Sequence, residues 1–306
     1  MRTFNRIEDI DVKRKTAVAL GNFDGVHKGH AELIKTTVAY AKEHGLASAA
    51  FTFSNHPQNF ILGKTIVKSI TTAKDKEELI AAFGVDYLFS LTFDKTFQTM
   101  SPESFINDLV ISSFNATAVF CGFNFNFGKA ASGNTDLLKQ VSIENSFALE
   151  ILPAFKVNGN IVSSTLIREM VSSGHVERCP DYLGRYFSIT GDVIRDKGNG
   201  RKLGFPTANI VLKEKMLLPS NGVYATITTI DGQSHRSVSN VGNRPTIGDD
   251  RMLTESHLID FDEDIYGRNI KVEFVEKIRN EVKFSNLSEL SSQIAKDKEK
   301  ASIILA

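Results

Sequence analysis

The turn Gly21-Asn22-Phe23-Asp24-Gly25-Val26-His27-Lys28-Gly29-His30 joins an apolar run, Thr16–Leu20, to an amphipathic segment at 31–43. After the stop signal His44-Gly45, a second apolar run follows at 46–53. Strand, tight turn, helix, strand is a βαβ unit. Its strands are parallel, and such crossovers are right-handed. The first part of the chain is thereby confined to α/β architectures. The turn also carries a chemical implication. A helix N-terminus presents unpaired backbone N–H groups and the positive end of the helix dipole, which together favour phosphate. Glycines let the backbone approach an anion closely.

The alternation continues downstream. Helix patterns at 74–83, 105–114 and 163–173 are interleaved with strand patterns at 86–93, 116–121 and 147–152. Ser101-Pro102-Glu103 gives the second of these helices an N-cap, a proline at the first position and an acid. From Phe187 the pattern changes to short alternating segments at 187–194, 222–230, 236–241, 256–260 and 270–277, with Asp231-Gly232 as a hairpin signal. This half reads as a small antiparallel barrel or sandwich. A last helix over 287–300 follows an Asn286-x-x-Glu289 cap. The fold class is α/β plus β, with domains at 1–180 and 181–306.

The 306 residues suffice for two domains, and 36 basic residues balance 36 acidic ones. That balance argues against a partner of strong charge, such as nucleic acid or a membrane surface. No run is apolar enough to span a bilayer, and the N-terminus lacks a signal core. The two cysteines, Cys121 and Cys179, lack metal spacing and read as free thiols of a cytoplasmic protein.

His27 and His30 stand at i and i+3. Their alternatives are a metal pair, for which no further ligand lies at metal spacing, or two structural polar residues. The string GNFDGVHKGH resembles the His-x-Gly-His signature of nucleotidyltransferases, in the form found in bacterial bifunctional FAD synthetases. The resemblance implies a Rossmann-like nucleotidyltransferase domain. In it, His27 and His30 contact the ATP triphosphate as pyrophosphate leaves, and Gly21, Asn22, Phe23, Asp24 and Gly25 help bind ATP. Phe53-Ser54-Asn55-His56-Pro57 and Gly122-Phe123-Asn124-Phe125-Asn126-Phe127-Gly128 resemble two further segments of that family. By that resemblance His56, Pro57, Asn124 and Phe127 are flavin contacts. Asn55 stands where the family has proline, and Asn126 where it has arginine. Val162-Ser163-Ser164-Thr165-Leu166-Ile167-Arg168 resembles the family's Ser-Ser-Thr-x-Ile-Arg. Its Ser163, Ser164, Thr165 and Arg168 are ATP ligands by the same token, although three hydroxyls at a helix start can also simply cap it.

The second half holds another signature. Gly200-Arg201-Lys202-Leu203-Gly204-Phe205-Pro206-Thr207-Ala208-Asn209 lacks Walker spacing, so it is no P-loop. Its Pro-Thr-Ala-Asn core resembles riboflavin kinases, with Asp196 where glycine is common. The resemblance implies a small antiparallel β-barrel kinase domain with a terminal helix. Gly200, Arg201 and Gly204 would bind ATP, and Thr207 and Asn209 would hold Mg2+. Two residues apart on an extended segment, Thr207 and Asn209 share a face. Glu255, in Glu255-Ser256-His257-Leu258-Ile259-Asp260-Phe261, matches the family's catalytic base, and Arg279 a flavin-facing position.

Taken together, the resemblance implies a bifunctional enzyme of FAD biosynthesis. The C-terminal domain phosphorylates riboflavin with ATP and Mg2+ to FMN. The N-terminal domain adenylylates FMN to FAD with release of pyrophosphate. The partners are then riboflavin, FMN and ATP, without nucleic acid or membrane. Two alternatives stand beside it: a chain with one live site, and a flavin-binding regulator on a degenerate enzyme fold.

Overall fold

The computed structural model describes residues 1–195, 206–212, 216–242 and 253–306. They form two compact units, Met1–Ser163 and Ser164–Ala306.

The first unit is built on a six-stranded, wholly parallel sheet with strands β1 (Arg2–Phe4), β2 (Thr16–Leu20), β3 (Ala47–Phe53), β4 (Tyr87–Leu91), β5 (Ala116–Gly122) and β6 (Ala148–Leu152). Their order is β1-β4-β3-β2-β5-β6. The β2 sequence TAVAL is buried at every position, as a strand covered on both faces demands. Its residues divide by parity. Ala17 and Ala19 face a layer containing Leu33, Ile34 and Ile80, where small side chains let helix Lys28–Glu43 approach. Val18 and Leu20 face the other layer, which is rich in phenylalanine. There Phe89 and Phe114 stack at 3.9 Å between centroids, and Phe51 meets Phe105 edge-on at 5.7 Å. The abundance of Phe in this chain is thus largely an architectural property of one sheet face. A two-strand ladder, β7 (Lys156–Val157) and β8 (Asn160–Ile161), follows the sheet.

Two departures from the periodicity have physical causes. The first helix begins at Lys28, not 31, because the His27 side chain caps it, so the Lys28-Gly29-His30 tail of the turn is already helical. The segment expected as an ordinary helix at 105–114 is a π-helix, Phe105–Ser113, preceded by one α-turn at Pro102–Ser104. Its bonding reaches five residues back, as in Phe114 N–H to the Leu109 carbonyl at 2.9 Å.

The second unit is a closed barrel of β9 (Phe187–Ile194), β10 (Ala208–Leu212), β11 (Gly222–Ile230), β12 (Gln233–Gly242), β13 (Leu253–Leu258) and β14 (Asn269–Arg279). The order β10-β13-β12-β11-β14-β9 is closed by antiparallel pairing of β9 with β10. Helix Leu287–Ile304 packs Ala301 against Val223, Ala225 and Val238 on the outer face. The opposite, inward faces of β11, β12 and β13 carry hydroxyls. Thr226 Oγ1 lies 2.8 Å from both Ser237 Oγ and Ser239 Oγ, and Ser239 donates to Ser256 at 2.9 Å. Helix Ser164–Ser173 belongs to this unit. Asn286 caps the last helix by accepting the Glu289 N–H at 2.9 Å.

Candidate functional site

In an open parallel sheet, ligands bind outside the carboxyl ends of the strands where the chain order switches direction. Here that point lies between β2 and β5, whose ends are paired as Leu20 with Cys121. Leu20 leads into the Gly21–His30 turn, and Cys121 leads into Gly122–Gly128. On the other side Leu20 pairs with Phe51 of β3, whose end leads into His56-Pro57. Topology alone therefore brings three sequence motifs to one edge of the sheet.

The turn itself is held by backbone conformation and by its neighbours. Phe23, Gly25 and Val26 all have positive φ, at 47°, 81° and 39°. A Cβ on Gly25 would also lie 3.0 Å from the Ile70 side chain, so both backbone conformation and space favour glycine there. The Asp24 carboxylate is buried and accepts the Ile70 N–H at 3.0 Å and the Thr71 N–H at 3.4 Å. Its bonds serve to anchor the turn. Thr52 donates to the Asn22 carbonyl at 2.7 Å.

His27 and His30 are stacked, with ring centroids 3.5 Å apart and planes 13° from parallel. The backbone N–H of His30 donates to His27 Nδ1 at 3.1 Å. His27 Nδ1 is therefore an acceptor, and a neutral His27 carries its proton on Nε2. The Phe23 ring meets His30 edge-on at 5.2 Å. His30 Nδ1 is buried without a hydrogen-bond partner. Burial, then the neighbouring His27 and Lys76, hold the His30 imidazolium well below the ordinary histidine range. The site thus presents two stacked imidazoles at a helix N-terminus, with His30 biased towards its neutral form, an arrangement of donors suited to a polyphosphate.

Lys76 is a residue the sequence reading missed. It sits in helix Ala73–Ala81, in the run Lys74-Asp75-Lys76-Glu77-Glu78, which reads as a solvated face. In the structure it is 7% exposed. Its ammonium donates to Phe53 O at 2.6 Å, Thr52 Oγ1 at 3.2 Å and Asn22 O at 3.4 Å.

The remaining first-site residues are distributed as follows. His56 and Pro57 open the short helix Pro57–Ile61 and are half-buried. Asn55 exchanges two hydrogen bonds with the Phe93 backbone, at 2.7 and 2.9 Å, and so has a structural role of its own. Asn124 is exposed, and its carbonyl accepts from Asn126 at 2.9 Å. Phe127 is only 6% exposed and packs 5.1 Å from Phe105 in the core, so the outward aromatic of that loop is Phe123, at 47%. Ser163 immediately precedes helix Ser164–Ser173, which begins with Ser164 and Thr165 and carries Arg168 one turn on. Cys121 and Cys179 are buried free thiols, each pushed up to about 12 by desolvation.

The barrel supplies the second arrangement. Asn209 of β10 is paired directly with Glu255 of β13, and Glu255 is paired on its other side with Asn240 of β12. Directly paired residues point to the same face, so the three side chains form a row across three strands. It lies on the outer face, opposite the inward hydroxyls. The expected strand at 256–260 runs instead over Leu253–Leu258, which places Glu255 inside the ladder. Of Thr207 and Asn209, expected together on an extended segment, strand β10 (Ala208–Leu212) contains the second. Asn209 is buried, and its Oδ1 has no hydrogen-bond partner. Thr207 lies two residues earlier. His257 Nδ1 is 2.8 Å from the Pro206 carbonyl and anchors the start of this segment. Gly200, Arg201 and Gly204 lie outside the described residues.

At the far end of β14, Arg279 is a bidentate partner of Asp297, at 3.0 and 2.8 Å, and Gln293 donates to the same carboxylate at 3.0 Å. The guanidinium lies 5.7 Å from the Phe284 ring. An open groove of about 340 Å³ beside it is lined by Phe284, Ser288, Glu289, Ser292, Gln293 and Lys296. Among the described residues there is no group of three or more His, Cys, Asp or Glu able to hold a metal. Nor is any helix long and apolar enough to cross a membrane.

Comparison with known proteins gives each half of the chain its own family match. Residues 9–166 match the FAD synthetase family model, and residues 183–305 match that of riboflavin kinase. The bifunctional riboflavin kinase/FMN adenylyltransferase of Bacillus subtilis is 35% identical over 292 residues, covering 94% of this chain and 92% of the relative. That of Haemophilus influenzae is 35% identical over 286 residues, with 93% and 92% covered. A crystal structure from Streptococcus pneumoniae, described as a macrolide-efflux protein, superposes over 98% of both chains with a TM-score of 0.88 and 28% identity. With a parallel-sheet unit and a closed barrel each matched by its own family model, the chain belongs to the bifunctional riboflavin kinase/FMN adenylyltransferase family.

Proposed function

We propose that the two arrangements are the two catalytic centres of FAD biosynthesis, with the functional boundary near residue 180. The observation that supports this reading is that each unit holds its own cluster of polar side chains, of different chemistry. One is a stacked histidine pair at a helix N-terminus, and the other a carboxylate flanked by amides on a barrel.

In the first unit, a phosphate oxygen of FMN attacks the α-phosphorus of ATP, and the bond to pyrophosphate breaks. Such transfers need mainly alignment and charge stabilisation. The N–H groups of His27 and His30 and the backbone N–H groups of the first helical turn donate to the triphosphate as charge gathers on the leaving group. Gly21, Asn22, Phe23 and Gly25 shape the turn, while Asp24 anchors it. Ser163, the last residue of this unit, is a further ATP ligand. The same role for Ser164, Thr165 and Arg168, which the resemblance implies, falls on the first helix of the second unit. His56, Pro57 and Asn124, at the same sheet edge, are flavin contacts, and Phe127 supports its loop from the core.

In the second unit, Glu255 takes the proton from the terminal hydroxyl of riboflavin, whose oxygen attacks the γ-phosphorus of ATP as ADP leaves. Mg2+ takes few protein ligands, preferring hydroxyl, amide and phosphate oxygens. The unpartnered, buried Asn209 Oδ1 with Thr207 close by in sequence fits that donor set. The ion would neutralise phosphate charge there. Gly200, Arg201 and Gly204 supply the ATP loop. Arg279, fixed by Asp297, orders the flavin side. Buried thiols fit a reducing cytoplasm.

Incubation with riboflavin, ATP and Mg2+, followed by separation of flavins, tests the reading. FMN is expected first, then FAD. FMN without FAD removes the adenylyltransferase assignment, and absence of FMN removes the kinase. Chelation of Mg2+ is expected to stop FMN formation.

A further inference from the structure

Lys76 is the one cation buried at the edge of the sheet where the nucleotide-handling turn begins, among the described residues, and nothing above gives it a role in the reaction. Long charged side chains are buried rarely, because an ammonium removed from water must be repaid by close, well-directed acceptors. Helix Ala73–Ala81 has an exposed side on which a lysine could stand at no cost. The fold instead directs Lys76 inward, and its three donors reach three oxygens. All three belong to the ends of β2 and β3. Phe53 O and Thr52 Oγ1 close β3, and Asn22 O lies in the turn that follows β2. Thr52 also donates to that same Asn22 carbonyl, so ammonium, hydroxyl and carbonyl form one closed unit.

The rest of the segment points the same way. Ile70 and Thr71 give their N–H groups to Asp24, and Thr71 Oγ1 accepts the Gly25 N–H at 3.3 Å. Residues 70–76 are thus a buttress for the Gly21–His30 turn, and Lys76 is its charged end. The His30 ring is close enough for this charge to oppose its protonation.

We propose that Lys76 is a positioning residue of adenylyl transfer. Its ammonium fixes the strand ends beneath the turn and supplies a permanent buried positive charge felt by His30. With burial as the larger cause, that charge opposes protonation of His30 before the nucleotide enters. The incoming triphosphate then brings negative charge to a site already biased towards it. The inference rests on the assignment of adenylyl transfer to the first unit.

The test compares Lys76→Met, Lys76→Arg and Thr52→Val in the full-length chain, with riboflavin phosphorylation by the same sample as an internal control. K76M is expected to lower kcat for FAD formation from added FMN at least ten-fold, with riboflavin phosphorylation unchanged. The acid limb of its pH profile is expected to move to higher pH, because His30 loses a repelling cation. K76R, which keeps the charge, is expected to recover part of kcat and the wild-type pH profile. Wild-type kcat and pH profile in K76M would overturn the proposal, as would a K76R profile displaced as far as that of K76M. If K76M does not fold, T52V decides. It removes one hold on the ammonium without removing charge and is expected to lose several-fold in kcat, and unaltered kcat would overturn the proposal. Absence of FAD formation by the wild-type chain is a different result, because it removes the underlying assignment and not the Lys76 role alone.

Discussion

The His30 imidazole is held neutral by burial, by the His27 ring and by the Lys76 ammonium. In the unfolded chain the same ring takes up a proton near its ordinary value of 6.5. Unfolding below that pH is therefore accompanied by proton uptake. The contribution to stability is complete above about 6.5 and is lost as pH falls towards the depressed native value, with a slope of at most ~1.4 kcal/mol per pH unit for one proton. Urea unfolding of wild type and His30→Gln at pH 7.5 and 5.5 measures this. The drop between the two pH values is expected to be smaller in the variant, and equal drops would refute the assignment to His30. At this scale the sequence announced His27, His30 and Glu255 because each lies in a long, chemically specific string. It concealed Lys76, since a lysine among Lys74, Asp75 and Glu77 carries no local sign of burial. Only the docking of that helix on the ends of β2 and β3 makes Lys76 an interior residue.

At the scale of elements, the phenylalanine layer packs under the strands whose ends carry the first site. Phe114 is fully buried and stacks on Phe89 while touching Phe51. It also follows the π-helix that returns the chain to β5. Phe114→Ala is expected to cost about 3–5 kcal/mol, the usual range for a large aromatic removed from a packed core. Denaturant titration checks this, and a cost below about 1 kcal/mol would show that the layer collapses freely. Apolar runs and caps made the parallel strands legible, because a strand covered on both faces must be continuously apolar. The π-helix was not legible. Over nine residues a spacing of 4.4 cannot be told from 3.6, and the Ser101 cap with Pro102 suits either. Strand β10 was hidden for a different reason. Its partners are β9, the strand before it in sequence, and β13, which lies some forty residues further on, so the second pairing leaves no local signal.

For the molecule as a whole, two compact units with separate chemistry predict separable losses. Glu255→Gln is expected to abolish riboflavin phosphorylation, by 10²-fold or more as is typical for a lost general base. FAD formation from added FMN should persist. His30→Ala is expected to do the reverse, leaving FMN to accumulate. Flavin separation after incubation with riboflavin or with FMN reads both variants, and loss of both activities in either would refute the two-centre picture. The row of Asn209, Glu255 and Asn240 has a consequence for how the barrel half can change over evolutionary time. The three side chains meet through ladder pairing alone, and a shift of β10 by one position would turn Asn209 into the hydroxyl-filled interior and bring Ala208 or Ile210 outward. The site behaves as though written in a two-letter frame. Substitutions along β10 alter its chemistry by degrees, whereas gain or loss of a single residue there erases the reading altogether, and only changes in pairs preserve it.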